Sequence, residues 1–413
     1  MAWTGTESRS DAGHALSRGT SQSGVRLYNE RLVLSLVRHH GALPKAEIAR
    51  LTGLSAQTVS VIVRQLESDD LLRRETPQRG KVGQPLVPFT LNPEGAYAIG
   101  LKLGRRSADL MLLDLTGRVC ATLRQPYRYP VPAEIVSFTE SGVKLLTKGM
   151  TRSQVARIAG LGIAAPFELW NWSEAVGAPP GALDVWQGFD LGAAIAARVE
   201  WPVHHCNDAT AACAAELLFG NGRSRRDYAY FYVGFFIGGG IVINGGLHQG
   251  RSGNAGALGS LLVPSRSDGA QQLILSASLS VLEDALRRDG LDPDILRNCP
   301  DDWSAAGAVL DSWIADAAMS LACASASTAA VLEPEAVIID GAMPAAVRRR
   351  LVASVRSAMS KVATLGITPF AVEEGTIGAD ARAMGAASLA LLANFIIDRD
   401  VLFKDVSAGA SGS

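Results

Sequence analysis

The first clear periodicity lies just after residue 28. Leu32, Val33, Leu36 and Val37 repeat at helical spacing and predict an apolar face on a helix closed by Gly41. A second, short helix is expected from about Pro44, with Ile48 and Leu51 inward and Gly53 as its stop. Proline suits a first helical position, where its missing N–H is not needed. Ser55 then reads as the N-cap of a third helix. In it Val59, Ile62, Val63 and Leu66 fall at i, i+3, i+4 and i+7, and the opposite face carries Gln57, Thr58, Ser60 and Arg64. Residues 71–91 read as a β-hairpin wing, with Arg79, Lys81 and the glycines Gly80 and Gly83 at its tip. Helical periodicity alone would also suit a small protein-interaction domain. The ordered series of helix, glycine turn, Ser-capped helix and basic wing points to a winged helix-turn-helix. Its expected DNA contacts are Lys45, Ser55, Gln57, Thr58, Ser60, Arg64, Arg79 and Lys81.

From Tyr97 the spacing becomes that of strands. Residues 97–103, 107–113, 119–123, 158–165 and 202–206 are expected strands, and 209–219 is an Ala-rich helix. Residues 228–233 and 239–243 follow as strands, with a hairpin turn at Asn244-Gly245. Glycines at 250, 253, 256 and 259 mark a long loop. Helices then dominate, broken by a strand at 336–339 and a turn at Asp340-Gly341, and residues 384–397 form the last helix. Strands followed by strand–helix alternation, twice over, predict a two-lobed α/β body with a cleft.

Charge sharpens this division. Residues 23–90 carry ten Lys+Arg against six Asp+Glu, while the whole 413-residue chain has a net charge of −1. A basic small module on an acidic body is the footprint of a nucleic-acid binder attached to something else. The five cysteines are scattered without a CxxC pair, so buried free thiols are expected rather than disulfides or a zinc knuckle. The apolar stretch 384–397 is too short to span a bilayer, and no secretory signal is visible, so a cytoplasmic address without membrane contact is expected. The expected organisation is a flexible tail over 1–22, the winged module over 23–92, the two-lobed body over 95–397 and a C-terminal tail over 398–413.

The order of motifs resembles the ROK family of repressors, open reading frames and kinases, from residue 19 to residue 392. Residues 28–32 (YNERL) open the first module as in family repressors. Residues 100–104 (GLKLG) sit where family kinases have a first phosphate loop. Residues 202–212 (PVHHCNDATAA) resemble the segment with the catalytic Asp, residues 237–246 (IGGGIVINGG) the second glycine loop, and residues 253–256 (GNAG) the run before the sugar motif. The resemblance implies an actin-like, sugar-kinase-type fold for the body. It also implies ligand contacts at Asn207, matching the family's sugar-hydroxyl partner, and Asp208, matching its general base. The bland reading of Asp208 is an N-cap for the helix that follows. His248, in the loop after Gly246, is a further candidate to line the cleft. His204 and His205 are adjacent on a strand and point to opposite faces, so they do not chelate one ion together.

Several positions depart from the kinases. Lys102 stands where the first loop has its Asp, and Phe235-Phe236 interrupt the second loop. Ala257 and Ser260 replace the Glu and His of the sugar motif, and residues 261–282 contain no cysteine, so no zinc and no cofactor are expected. Phe167, beside Pro166 and Glu168, either narrows the cleft or packs in the core. Phosphoryl transfer depends on positioned charge and metal, so no catalytic residue and no kinase activity are expected. The expected function is a ROK-type transcriptional regulator, a repressor, that binds double-stranded operator DNA as a homodimer or larger homo-oligomer. Its degenerate kinase-like body would sense a sugar or related ligand. The alternatives are an ATP-dependent sugar kinase fused to a DNA-binding domain, and a DNA-binding scaffold without a ligand.

Overall fold

Glycine and serine punctuation sets the N-terminal helices where the periodicity placed them. The computed structural model describes residues 22–77, 86–265 and 269–397. Helix α1 (Gln22–His40) ends at Gly41, whose φ of 83° is left-handed and whose N–H bonds the Val37 carbonyl at 2.9 Å. It begins at Gln22, well before the apolar repeat. Its buried face is also rotated from expectation: Arg31, Val33, Leu34 and Val37 are buried, while Leu32 and Leu36 are half-buried. Helix α2 (Lys45–Thr52) ends at Gly53, and α3 (Ala56–Ser68) is capped by Ser55, which accepts from the Thr58 N–H. Strands β1 (Leu43–Pro44), β2 (Leu72–Arg74) and β3 (Pro88–Leu91) form a small sheet in the order β1-β3-β2. The wing tip, with Arg79 and Lys81, lies outside the described residues.

The body contains the same sheet twice. In the first lobe β4 (Tyr97–Leu103), β5 (Ser107–Asp114) and β6 (Val119–Pro126) form an antiparallel meander. Strands β7 (Ile158–Ala165) and β8 (Val203–Asn207) then add in parallel, giving the order β6-β5-β4-β7-β8. In the second lobe β9 (Tyr228–Val233), β10 (Ile237–Ile243) and β11 (Gly246–His248) repeat the meander. Strands β12 (Ala336–Gly341) and β13 (Ala371–Glu374) repeat the parallel addition, giving β11-β10-β9-β12-β13. The central strands β4 and β9 are buried along their whole length, as near-continuous apolar runs covered on both faces require. Asp340-Gly341 is the end of β12 and not a turn, because both residues pair in register with Tyr232 and Val233 of β9.

Helices α4 (Asp208–Phe219) and α5 (Ala381–Phe395) run between the lobes and pack on each other. Their alanines and glycines allow close contact. A Cβ on Gly385 would lie 1.8 Å from the Ala211 carbonyl oxygen, and one on Gly162 of β7 would lie 1.8 Å from that of Ala386. In the second lobe α6 (Leu279–Arg288) and the 26-residue α7 (Gly307–Leu332) cover the sheet. By length and hydropathy α7 could cross a bilayer, but Leu310, Trp313, Ile314, Ala317 and Leu321 sit in the lobe's core.

The winged module shares a core with the body. Val33, Val37, Ile48, Val63 and Phe89 are continuous with Met111, Leu113, Leu218, Ala387 and Leu391. Arg31 crosses the junction, donating from Nη2 to the Ala393 carbonyl at 2.7 Å and from Nη1 to that of Ile396 at 3.4 Å. A guanidinium there satisfies carbonyls that the end of α5 leaves open.

The cysteines are free but not uniformly buried. Cys206 and Cys213 are buried, Cys323 is half-buried, and Cys120 and Cys299 are exposed. Burial raises the pKa of both Cys206 and Cys213. Iodoacetamide at pH 8 should therefore modify Cys299 and Cys120 first and spare Cys206 and Cys213 until the chain is unfolded, as read by peptide mass spectrometry. Early labelling of Cys213 would contradict the packing described.

Candidate DNA interface and ligand cleft

On α3 the four apolar residues at helical spacing are all buried, and the polar stripe faces solvent. Two of the expected contacts are already engaged: Ser55 caps α3, and its hydroxyl shares a 2.8 Å hydrogen bond with that of Thr58. Gln57 and Arg64 are exposed and Ser60 half-buried. None of the three side chains has a hydrogen-bond partner among the described residues. Lys45 is half-buried, with its Nζ 5.4 Å from the Phe89 ring centroid. At the wing base Arg73 pairs with Glu75 at 3.4 Å and Arg74 with Glu67 at 2.5 Å. Among the described residues, the freely offered cation on the polar face of α3 is thus Arg64.

The first glycine loop holds a charge pair. Lys102 Nζ lies 2.7 Å from Asp109, which also forms an ion pair with Arg124 at 3.1 Å. Burial and the nearby charge of Arg382 pull the Lys102 pKa down to about 8, with Asp109 acting in the opposite direction. In the second loop, the Gly234 and Phe235 carbonyls accept from Leu279 and Ser280 at the start of α6, and the Ile237 N–H donates to Ser278 Oγ. The segment serves as a cap for a helix of its own lobe.

The two altered loops meet across the lobes. Arg105 makes a bidentate pair with Glu283 of α6, at 2.7 and 3.2 Å, and its guanidinium carbon lies 3.6 Å from the Phe235 ring centroid. Phe236 packs edge-on against Trp172 at 5.1 Å. The groove beside them, about 770 Å³, is lined by Arg105, Arg106, Phe235, Phe236 and Arg288 among others. Its walls offer guanidinium groups and aromatic rings.

A second cavity, of about 390 Å³, opens where β7 and β8 end. Its walls include Phe167, Glu168, Trp170, Trp186, Phe189, Asp190, His205 and Asn207. Phe167 is 53% exposed, so it stands at this cavity and does not pack in the core. Glu168 adopts a left-handed φ of 52°, a strained conformation for a side chain of that size. Burial lowers the His205 pKa, with Asp190 partly offsetting it. Aromatic faces beside hydrogen-bonding groups suit a ligand with one apolar face and several hydroxyls.

The expected ligand residues separate in space. Asn207 lines the cavity, and its Oδ1 accepts from the Ala209 N–H at 3.0 Å. The N-cap of α4 is therefore Asn207 and not Asp208. Asp208 turns to Arg382 of α5, accepting from Nη1 at 3.1 Å. Arg382 also lies 5.2 Å from the Tyr232 ring centroid. Burial opposes its charge, but Tyr232 and Asp208 outweigh that and raise its pKa overall. His248 is exposed on the edge strand β11, opposite Ile241, and is not brought to the cavity. The cavity's aromatic wall was not anticipated. Its signal was the density of rings over residues 167–189, which has neither helical nor strand period.

Residues 98–272 match the ROK family, and residues 28–81 match the MarR family. The chain carries a ROK family domain. The protein y4fQ of Sinorhizobium fredii is 26% identical over 362 residues, 87% of this chain and 89% of the relative. The xylose repressor of Bacillus subtilis is 24% identical over 242 residues, and the transcriptional dual regulator NagC of Escherichia coli is 25% identical over 251. Those matches cover 59% and 58% of this chain and 62% and 58% of the relatives, so the chain spans less than two thirds of either regulator. Among solved structures, a ROK family transcriptional regulator, a homologue of the E. coli MLC protein, aligns at a TM-score of 0.64 with 19% identity, covering 90% of this chain and 97% of that one. A ROK family glucokinase from Streptomyces griseus aligns at 0.55 with 21% identity, covering 71% and 99%. These likenesses establish the fold: a winged helix-turn-helix followed by a ROK domain of sugar-kinase type.

Proposed function

We propose that this chain is a DNA-binding transcriptional regulator of repressor type, whose ROK domain binds a sugar or related small ligand without phosphorylating it. The observation that carries the reading is the solvent-facing Gln57–Ser60–Arg64 stripe on a Ser-capped helix, in a winged module that shares its core with the ROK domain. Repressors and a dual regulator among the relatives support regulation over kinase chemistry. Lys102 in the first loop and the Arg105–Glu283 and Phe235 contacts favour a body that binds without turnover. The chain acts in the cytoplasm on operator DNA. Because one winged module offers little contact area, it acts as a homodimer on paired half-sites.

The route between the two functions runs along α5. Arg382, near its first turn, holds Asp208 next to the cavity residue Asn207. Its C-terminal carbonyls hold Arg31 of α1. The helix has 15 residues and spans about 22 Å. A ligand that favours one position of α5 biases the winged module, provided that its affinity differs between the two arrangements.

The test uses the purified chain and a monosaccharide panel that includes xylose and N-acetylglucosamine. One member should raise the melting temperature, since a ligand specific to the folded state stabilises it. ATP should give no phosphorylated product with any of them. Asp208→Asn, which keeps a hydrogen-bond acceptor for Arg382, should hold duplex affinity within about twofold and lose the sugar response. A normal response in that variant would rule out the route through α5, and Asp208-dependent phosphorylation would rule out the regulator reading of the cleft.

A further inference from the structure

One residue on the proposed recognition face is apolar and exposed. Val61 sits between Gln57 and Arg64 at i+4 and i+7 of the same stripe, and it is 59% exposed. The neighbouring Val59, Ile62 and Val63 are buried, so the core has no need of Val61. A β-branched residue also costs helix propensity relative to alanine or a straight-chain residue. Other apolar side chains are as exposed, among them Leu145, Leu262 and Val331, but Val61 is distinguished by its place between Gln57 and Arg64 on the polar face of α3. The stripe's position defines what it can meet.

Ser55 and Thr58 are occupied with each other and with the helix cap, so Gln57, Ser60, Val61 and Arg64 are left to meet a surface. From Gln57 to Arg64 the helix rises about 10 Å, which corresponds to roughly three base-pair steps. Glutamine pairs bidentately with adenine, and arginine binds guanine or phosphate. An apolar side chain between them finds one complementary feature in the major groove, the C5-methyl group of thymine.

We propose that Val61 is a specificity-determining residue that packs against a thymine methyl in each half-site, within about three base pairs of an adenine read by Gln57. The inference rests on the DNA-binding reading and adds the class of duplex recognised. It assigns sequence information to an apolar residue, whereas Arg64 supplies the charge.

The test begins with duplexes selected from a randomised library by the intact chain. A selected duplex is resynthesised with deoxyuridine at each thymine in turn, which removes only the methyl group, and binding is followed by fluorescence anisotropy. One thymine per half-site should weaken binding about fourfold when replaced, the worth of one methyl-sized apolar contact. Val61→Ala, which retains the helix, should bind the thymine and deoxyuridine duplexes equally. Selective binding with no methyl-dependent position, or an unchanged thymine preference in Val61→Ala, would overturn the assignment while leaving DNA recognition standing. A chain that selects no sequence at all would remove both.

Discussion

Replacing Asp340 by alanine should cost the second lobe about 3 kcal/mol of stability. Asp340 is fully buried at the end of β12 and meets four donors. Its Oδ1 accepts from the Gly341 N–H at 2.8 Å and from Arg348 Nη1 at 3.0 Å. Its Oδ2 accepts from the Gly378 N–H at 2.9 Å and from the Tyr230 hydroxyl at 3.1 Å. Removing the carboxylate strands buried donors and leaves Arg348, itself buried, with Glu374 at 3.0 Å as its remaining ion-pair partner. Breaking a buried pair from one side costs roughly 3–5 kcal/mol, and the surviving Glu374 contact puts this case at the lower end. Urea unfolding followed by tryptophan fluorescence measures the loss. The double variant Asp340→Ala/Arg348→Met should recover part of it, because no lone charge remains buried. A single variant as stable as the parent would mean that this network does not hold β12 against the helices around it.

Arg64→Ala should weaken binding to a selected duplex by about 1–3 kcal/mol, roughly 5- to 150-fold. Arg64 is the exposed cation on the recognition stripe, while Arg73 and Arg74 are held by acidic neighbours. Arg64→Lys separates two modes of contact. If Arg64 grips a guanine edge bidentately, lysine should recover little, and discrimination at one base pair should relax. If it contacts phosphate, lysine should recover most of the affinity, and alanine should reduce the salt slope by about one without changing sequence preference. Unchanged affinity in Arg64→Ala, at low and at moderate salt, would exclude α3 as the recognition helix.

Much of the architecture was legible because it depends on local rules. Gly41, Gly53 and Ser55 fixed helix ends, and the alternation of apolar runs with turn residues located β4, β7 and β9 with almost unchanged limits. The sequence misled where tertiary pairing overrides local chemistry. Asp340-Gly341 has the composition of a turn, but the parallel neighbour β9 extends the strand through it. Leu32 and Leu36 lie on the apolar side of α1 by period, but Arg31 takes the buried position because the carbonyls at the end of α5 require a donor. The cleft divided in the same way. Asn207 and the two glycine loops were visible as motifs. The Asp208–Arg382 and Arg105–Glu283 pairs join residues more than 170 positions apart, and no local pattern announces them.

On the proposed function, one chain couples a recognition helix to a sugar-binding, non-phosphorylating body. The most direct test is a fluorescence anisotropy titration of one selected duplex with the intact chain, with and without each member of the monosaccharide panel. The expected result is sequence-selective binding that one sugar shifts by about tenfold or more, a coupling of roughly 1.4 kcal/mol, in the parent chain but not in Asp208→Asn. Binding that shows no sequence preference, or a selective complex that no member of the panel changes, would contradict it.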